Sequence, residues 1–284
     1  MPEIPEFVLL LKCPDRPGIL ADVTPFLAAM GCDIRDSTVY GDPDTKTFFI
    51  RMHVASPNAS GQEIRSGFEA VARRLNTDWT MFNLAKRMRV LVAGSKSAHC
   101  LNDLLFKWGN GTLPIDIVGV VSNHQDLAPI AQWHDLPFHH LPISKETKPE
   151  QEAKFRALIE EQGVDLVVLA RYMQILSDEM CGYLEGRCIN IHHSFLPSFK
   201  GARPYHQAYE RGVKLIGATA HFVTPALDEG PIIEQDVRRV THATTPKEMI
   251  RIGHEVEAQV LSRAVRWHAE HRVLLNGNKT VVLT

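Results

Sequence analysis

No stretch of this sequence approaches the roughly 20 consecutive apolar residues that a membrane-spanning helix needs. The first residues likewise lack the basic start and apolar core of a secretory signal. A cytoplasmic protein without membrane contact is the expectation. Cysteine is scarce and scattered: Cys13, Cys32, Cys100, Cys181 and Cys188 are odd in number and never fall at CxxC spacing. That pattern fits reduced, partly buried thiols rather than a disulfide framework or a cysteine metal site. Charge excess is missing too, since 31 Lys and Arg stand against 33 Asp and Glu for a net charge of -2. A nucleic-acid partner, which needs a basic footprint, is therefore not expected. With no low-complexity tract, 44% hydrophobic and 23% charged residues describe a folded chain. Its 284 residues exceed the usual size of one hydrophobic core, so two domains are expected.

The apolar run Phe7 to Leu11 reads as a strand, and the turn Cys13-Pro14-Asp15-Arg16-Pro17-Gly18 leads into a helical pattern through Ile19, Leu20, Val23, Phe26 and Leu27. Cys32 to Tyr40 and Thr47 to Val54 form a hairpin around Gly41-Asp42-Pro43-Asp44. A helix over 61–75, carried by Ile64, Phe68, Val71 and Leu75, and a strand from Trp79 to Leu84 complete a βαββαβ order. Two helices on one face of a small antiparallel sheet is a ferredoxin-like arrangement. Residues 5–84 resemble the ACT domain, with Asp15-Arg16-Pro17-Gly18 as the best local signature. The resemblance implies a regulatory or oligomerisation domain over 1–85, and a homo-oligomer, since such modules commonly pair. It also implies an amino-acid effector, methionine or glycine, held at Asp15, Arg16 and Gly18. There the start of the following helix would favour a carboxylate. A turn shaped by Pro17 and Gly18 in a purely assembling module stays equally open.

From Lys86 the pattern changes to alternating strands and helices: strands at Val90 to Gly94, Ile115 to Val121, 137–141 and Leu166 to Ala170, and helices at Ala98 to Trp108, 127–133 and 150–162. This predicts an α/β fold with a Rossmann-like, mostly parallel sheet. Ligands of such sheets lie beyond the carboxyl ends of the strands. A long helix near Pro246 to His268 and a hairpin around Asn276-Gly277-Asn278 carry no evident chemistry.

One strand end does carry chemistry. In Cys188 to Pro197, Asn190 and His192 share a face, about 6 to 7 Å apart along the strand. The Pro- and Gly-punctuated loop Thr224 to Pro231 can return Asp228 to the same place. An amide and a protonated imidazole could stabilise the oxygen of an acyl group under attack, while the carboxylate orients the imidazole and the nucleophile. On spacing alone, a structural histidine explains the same residues. A zinc site at His192, His193 and His206 is disfavoured, because neighbouring strand residues point to opposite faces.

The surrounding text, Ser194-Phe195-Leu196-Pro197, Gly201-Ala202-Arg203-Pro204, His221-Phe222-Val223 and Leu227-Asp228-Glu229-Gly230-Pro231, resembles the folate-dependent formyltransferases over about residues 86–275. The resemblance implies that Asn190, His192 and Asp228 are catalytic and that His221 supports them; His193 is expected beside them as a local hydrogen-bonding or acceptor-side residue. It further implies that the Leu169 to Leu176 loop, through Met173, Gln174 and Leu176, binds folate together with Thr224 and Asp228. The catalytic domain would run over 86–284. The loop Gly94-Ser95-Lys96-Ser97-Ala98-His99 keeps only part of the family's phosphate-cradling pattern for an amine acceptor. With the ACT-like segment, this is similar to the branch that hydrolyses 10-formyltetrahydrofolate to formate and tetrahydrofolate, supplying one-carbon and purine metabolism. No tightly bound cofactor and no metal are expected. Transfer of the formyl group to an amine, and a folate- or amino-acid-responsive binding protein without turnover, are the alternatives.

Overall fold

The computed structural model describes residues 4–196 and 204–284, so Pro197, Gly201, Ala202 and Arg203 of the motifs above lie outside the described residues. The chain divides into two compact units: Met1–Arg87 with His271–Leu274 and Val281–Thr284, and Met88–Glu270 with Leu275–Thr280.

The first unit contains β1 (Glu6–Pro14), α1 (Ile19–Ala29), β2 (Asp33–Asp42), β3 (Thr47–Ala55), α2 (Gly61–Leu75) and β4 (Asp78–Asn83). Its antiparallel sheet is ordered β2-β3-β1-β4. Strand alternation sends Leu9, Leu11, Ile50 and Met52 to one face, where Val23 and Leu27 of α1 and Ile64 and Phe68 of α2 bury them. A Ser60 and Glu63 capping box starts α2 by satisfying backbone N–H groups at the helix end. Leu10 and Phe49 point to the other face. There Leu274, Val281 and Leu283 cover them, which is why the last residues of the chain group with this unit rather than with the second domain to which sequence alone assigned them.

The second unit runs through β5 (Met88–Gly94), α3 (His99–Gly109), β6 (Ile115–Ser122), α4 (Ala128–Trp133), β7 (Phe138–His140), α5 (Lys148–Glu161) and β8 (Leu166–Leu169). It continues with α6 (Asp178–Tyr183), β9 (Cys188–His192), α7 (Pro204–Glu210), β10 (Leu215–Phe222), β11 (Ile232–Arg239) and α8 (Pro246–Ala269); the closing hairpin, β12 (Val273–Asn276) and β13 (Lys279–Val282), is divided between the two units. The sheet order is β11-β10-β9-β8-β5-β6-β7, parallel from β9 to β7 and antiparallel at β10 and β11. Strand β11 is not foreseen from sequence. Its text, IIEQDVRR, is mostly polar, as suits an edge strand whose charges discourage further pairing. Among the described residues no helix is long and apolar enough to cross a membrane.

Parallel β8 and β9 end side by side, Leu169 opposite Asn190, so the turn after β8 and the last residues of β9 face one space beyond the sheet. Strand order thus creates the site.

Candidate active site

Antiparallel pairing sets His221 of β10 directly opposite Asn190 of β9, and cross-strand partners share a face. The β10–β11 register shifts between Ala220 and His221, a bulge of the kind that re-aims side chains. His221 Nδ1 donates to the Phe222 carbonyl at 2.8 Å, so its Nε2, 3.2 Å from Asn190 Nδ2, accepts from the amide in the neutral ring. That bond orients Asn190 and leaves its second amide hydrogen for the cavity.

The loop that carries Asp228 is closed at its base by Phe222 N donating to the Pro231 carbonyl at 2.9 Å. Gly230 passes so close to the Phe222 carbonyl that a Cβ would collide with it. Within the loop, the Thr224 hydroxyl donates to the Ala226 carbonyl at 3.0 Å, and Asp228 adopts φ 58°, a left-handed conformation that aspartate tolerates better than most residues. Its Oδ2 lies 3.2 Å from His192 Nδ1, and its Oδ1 lies 3.7 Å from His221 Nε2. Hydrogen bonding from His192 outweighs burial and holds the Asp228 carboxyl well below the usual carboxylate range. The other nitrogen of His192, Nε2, is buried without a protein partner among the described residues.

The rings of His192 and His193 do not diverge as an extended strand would require. Strand β9 ends at His192, the chain bends, and the two rings stack with centroids 4.9 Å apart. Burial first, then the nearby Arg171 cation and His192, lower the His193 pKa to about 4. Burial of its ring lowers half-buried His268 to about 4 as well, and its Nδ1 has no partner among the described residues. Both histidines are therefore neutral in the folded protein near pH 7. Between about pH 6.5 and the folded values, the unfolded chain binds protons that the folded chain does not. Stability is then expected to fall as pH drops through that window, by at most ~1.4 kcal/mol per pH unit for each group. Urea unfolding at pH 7, 6 and 5 measures this, with His268→Leu flattening the slope; a pH-independent stability would refute it.

A cavity of about 340 Å³ opens beside these residues, within the size range of small-molecule pockets. Asn190, His192, His193, His221 and Asp228 line its polar end. Met173, Gln174, Leu176, Thr224, Val223 and Leu227 line the rest. The Arg171 to Leu176 wall has no regular structure and is held from below. Ser95 N donates to the Arg171 carbonyl at 3.2 Å, Met173 N donates to Ser95 Oγ at 3.0 Å, and Ser95 Oγ donates to Asn123 Oδ1 at 2.7 Å. Ser95→Ala leaves two buried groups unsatisfied, each worth about 1–3 kcal/mol. The KM for a substrate held in this cavity is expected to rise about tenfold, the equivalent of ~1.4 kcal/mol, with kcat little changed. Steady-state kinetics decides it.

In the first unit, Gly18 is the left-handed N-cap of α1 with φ 86°. Asp15 N donates to the Lys46 carbonyl at 2.8 Å, and Arg16 pairs with Asp22 at 2.6 Å on the surface. The structure thus gives the Arg16 cation an internal partner. Three pocket-building residues have no place among the sequence candidates: Ser95, Arg171 and Glu257, which holds Arg171. A charged residue on the apolar stripe Val256, Val260, Leu261 of α8 is the one signal that singles out Glu257.

Residues 88–265 match the formyl transferase family and residues 7–64 match the ACT domain, so the fold is that of a formyl transferase-type domain following an ACT module in the chain. The formyltetrahydrofolate deformylase of Corynebacterium sp. (strain P-1) is 49% identical over 285 residues, covering all of both chains. That of Escherichia coli K12 is 41% identical over 97% of this chain and 98% of its own. Among solved structures, the Burkholderia mallei formyltetrahydrofolate deformylase superimposes with a TM-score of 0.95 at 50% identity, covering 99% of this chain and all of that one. Glycinamide ribonucleotide transformylase 1 of Symbiobacterium toebii matches 70% of this chain and 95% of its own with a TM-score of 0.65 at 31% identity. The chain belongs to the formyltetrahydrofolate deformylase family.

Proposed function

We propose that this protein hydrolyses 10-formyltetrahydrofolate to formate and tetrahydrofolate, with Asn190, His192 and Asp228 as the groups that act on the formyl carbon. The observation that carries the chemistry is the asymmetry of His192: Nδ1 lies against a depressed carboxylate while Nε2 is buried and unpartnered at the cavity. A formyl oxygen beside Nε2 and the Asn190 amide would satisfy both. Water oxygen bonds to the formyl carbon, and negative charge grows on the formyl oxygen, where these two donors stabilise it. The carbon–nitrogen bond then breaks, N10 takes a proton, and formate leaves. His192 acts as the imidazolium, its Nε2–H donating to the formyl oxygen with Asp228 as its counter-charge. Asp228 takes up one proton of the attacking water and passes it to N10 as the carbon–nitrogen bond breaks. The released formic acid gives its remaining hydroxyl proton to solvent as formate. Met173, Gln174, Leu176 and Thr224 would hold the folate around this centre.

Purified protein incubated with the donor, with and without glycinamide ribonucleotide, tests the reading. Formate release without the amine is expected; strict dependence on the amine would instead favour formyl transfer, the reading suggested by the glycinamide ribonucleotide transformylase likeness. The released formate would supply one-carbon and purine metabolism. For the ACT module we infer a homo-oligomer and an amino-acid effector, methionine or glycine, near Asp15, Arg16 and Gly18. Its carboxylate would compete with Asp22 for Arg16. Calorimetric titration giving no heat with either amino acid would leave assembly as its role.

A further inference from the structure

Glu257 is a fully buried carboxylate on α8, in the unit that holds the cavity but absent from its lining. Its Oε2 lies 2.8 Å from His99 Nε2 and 3.3 Å from Arg171 Nε, and its Oε1 accepts from the Tyr205 hydroxyl at 2.5 Å. One carboxylate therefore ties together the start of α3, the turn after β8 and the start of α7. Gly253, one turn earlier on α8, has no room for a Cβ because the Tyr205 ring lies over it on the way to Glu257. Burial pushes the Glu257 carboxyl up, but the His99 hydrogen bond and the Arg171 cation outweigh it and bring the pKa to about 2. The group is thus ionised at neutral pH.

Arg171 is the member of this cluster that reaches the cavity. Its backbone has φ 64°, a conformation that is unfavourable by about 1–3 kcal/mol for a non-glycine residue and persists only where the surroundings enforce it. Ser95 holds the backbone from one side, as described above. Glu257 holds the side chain from the other.

We propose that Glu257 is a positioning residue for the hydrolysis, acting through Arg171 to fix the wall Arg171 to Met173 on which the folate donor lies. Loss of the carboxylate leaves a largely buried guanidinium without a counter-charge, and such a group moves toward water. Arg171 already lines the cavity, so its displacement would deform the wall and the folate subsite together. The same cation helps keep His193 neutral beside His192, which links the cluster electrostatically to the reacting end.

His99, His254 and Glu257 also bring three ligand-type atoms within 4.8 Å of one another. A divalent ion there would have to share a carboxylate already facing Arg171 and displace the His99 hydrogen bond. The cation at this carboxylate is Arg171.

The inference takes its substrate from the proposed hydrolysis, and the experiment separates the two. Steady-state kinetics on 10-formyltetrahydrofolate is measured for the parent, Glu257→Gln, Arg171→Met and the double variant, with thermal melting to verify folding. A parent that releases no formate refutes the hydrolysis itself. With an active parent, Glu257→Gln is expected to raise KM about tenfold or more with a smaller change in kcat, as for loss of ground-state binding. The double variant should be less impaired than Glu257→Gln, because removing both charges leaves none uncompensated. An unchanged KM in Glu257→Gln, or single effects that simply multiply in the double, overturns the proposal. So does a stoichiometric metal in the purified enzyme whose chelation abolishes activity. Should Glu257→Gln not fold, Arg171→Lys retains the charge but alters its reach: a raised KM supports the proposal and an unchanged one overturns it.

Discussion

Asp228→Asn is expected to lower kcat for formate release by about 10³-fold, within the range of roughly 10²–10⁴ that positioned acid–base groups contribute. Asparagine has the same shape and also tolerates the left-handed backbone of this position, so the loop keeps its path. What disappears is the charge. In the parent, the hydrogen bond from His192 holds Asp228 ionised against burial, and the ionised form is what an imidazolium at His192 needs beside it. An amide at 228 accepts from Nδ1 as a neutral dipole and cannot take up a proton. The loss should therefore fall on kcat, with KM changed by less than about threefold, because the carboxylate acts on the transition state more than on the bound donor. His192→Ala is expected to fail in the same way. Single-turnover formate release, together with calorimetric binding of the donor, checks both parts; a kcat within tenfold of the parent would remove Asp228 from the mechanism.

Periodicity made the scaffold legible where strands are apolar and helices amphipathic. Runs such as Val90 to Gly94 and Leu166 to Ala170 announce buried parallel strands by composition alone, and the first unit's βαββαβ order follows from the same signals. It failed where tertiary position overrides composition. Polar β11 is a strand because β10 offers it an edge, and six-residue α6 and seven-residue α7 are too short to display a period. In the site, Asn190 and His192 are two apart on one strand face, a relation that sequence states directly. Asp228 is not local to them and was reached through the Pro- and Gly-punctuated loop that can return it there, while His221 was reachable only through resemblance to other proteins. The roles of Ser95, Arg171 and Glu257 were out of reach for another reason, even though a charge on the apolar stripe of α8 marks Glu257. Their roles are contacts with one another's segments, between positions separated by more than seventy residues. The bend after His192 had a milder cause: strand alternation stops where the strand stops, and sequence placed that end at Pro197.

Asn190→Ala isolates the other half of the oxyanion site. Removing one such donor typically costs about 2.7–4 kcal/mol of transition-state stabilisation, so kcat should fall by roughly 10²–10³ with little change in KM. The amide is effective only while it is aimed, and it is aimed by His221, whose Nε2 stands 3.2 Å away and whose Nδ1 is held on the Phe222 carbonyl at 2.8 Å. His221→Ala should therefore lower kcat by a smaller factor, since a free amide still samples the productive rotamer. Adding Asn190→Ala to His221→Ala should then do less harm than it does in the parent, because an amide no longer aimed has less to lose. If the two substitutions instead multiply, His221 influences the reaction by a route independent of Asn190, and its 3.7 Å approach to Asp228 becomes the contact to pursue.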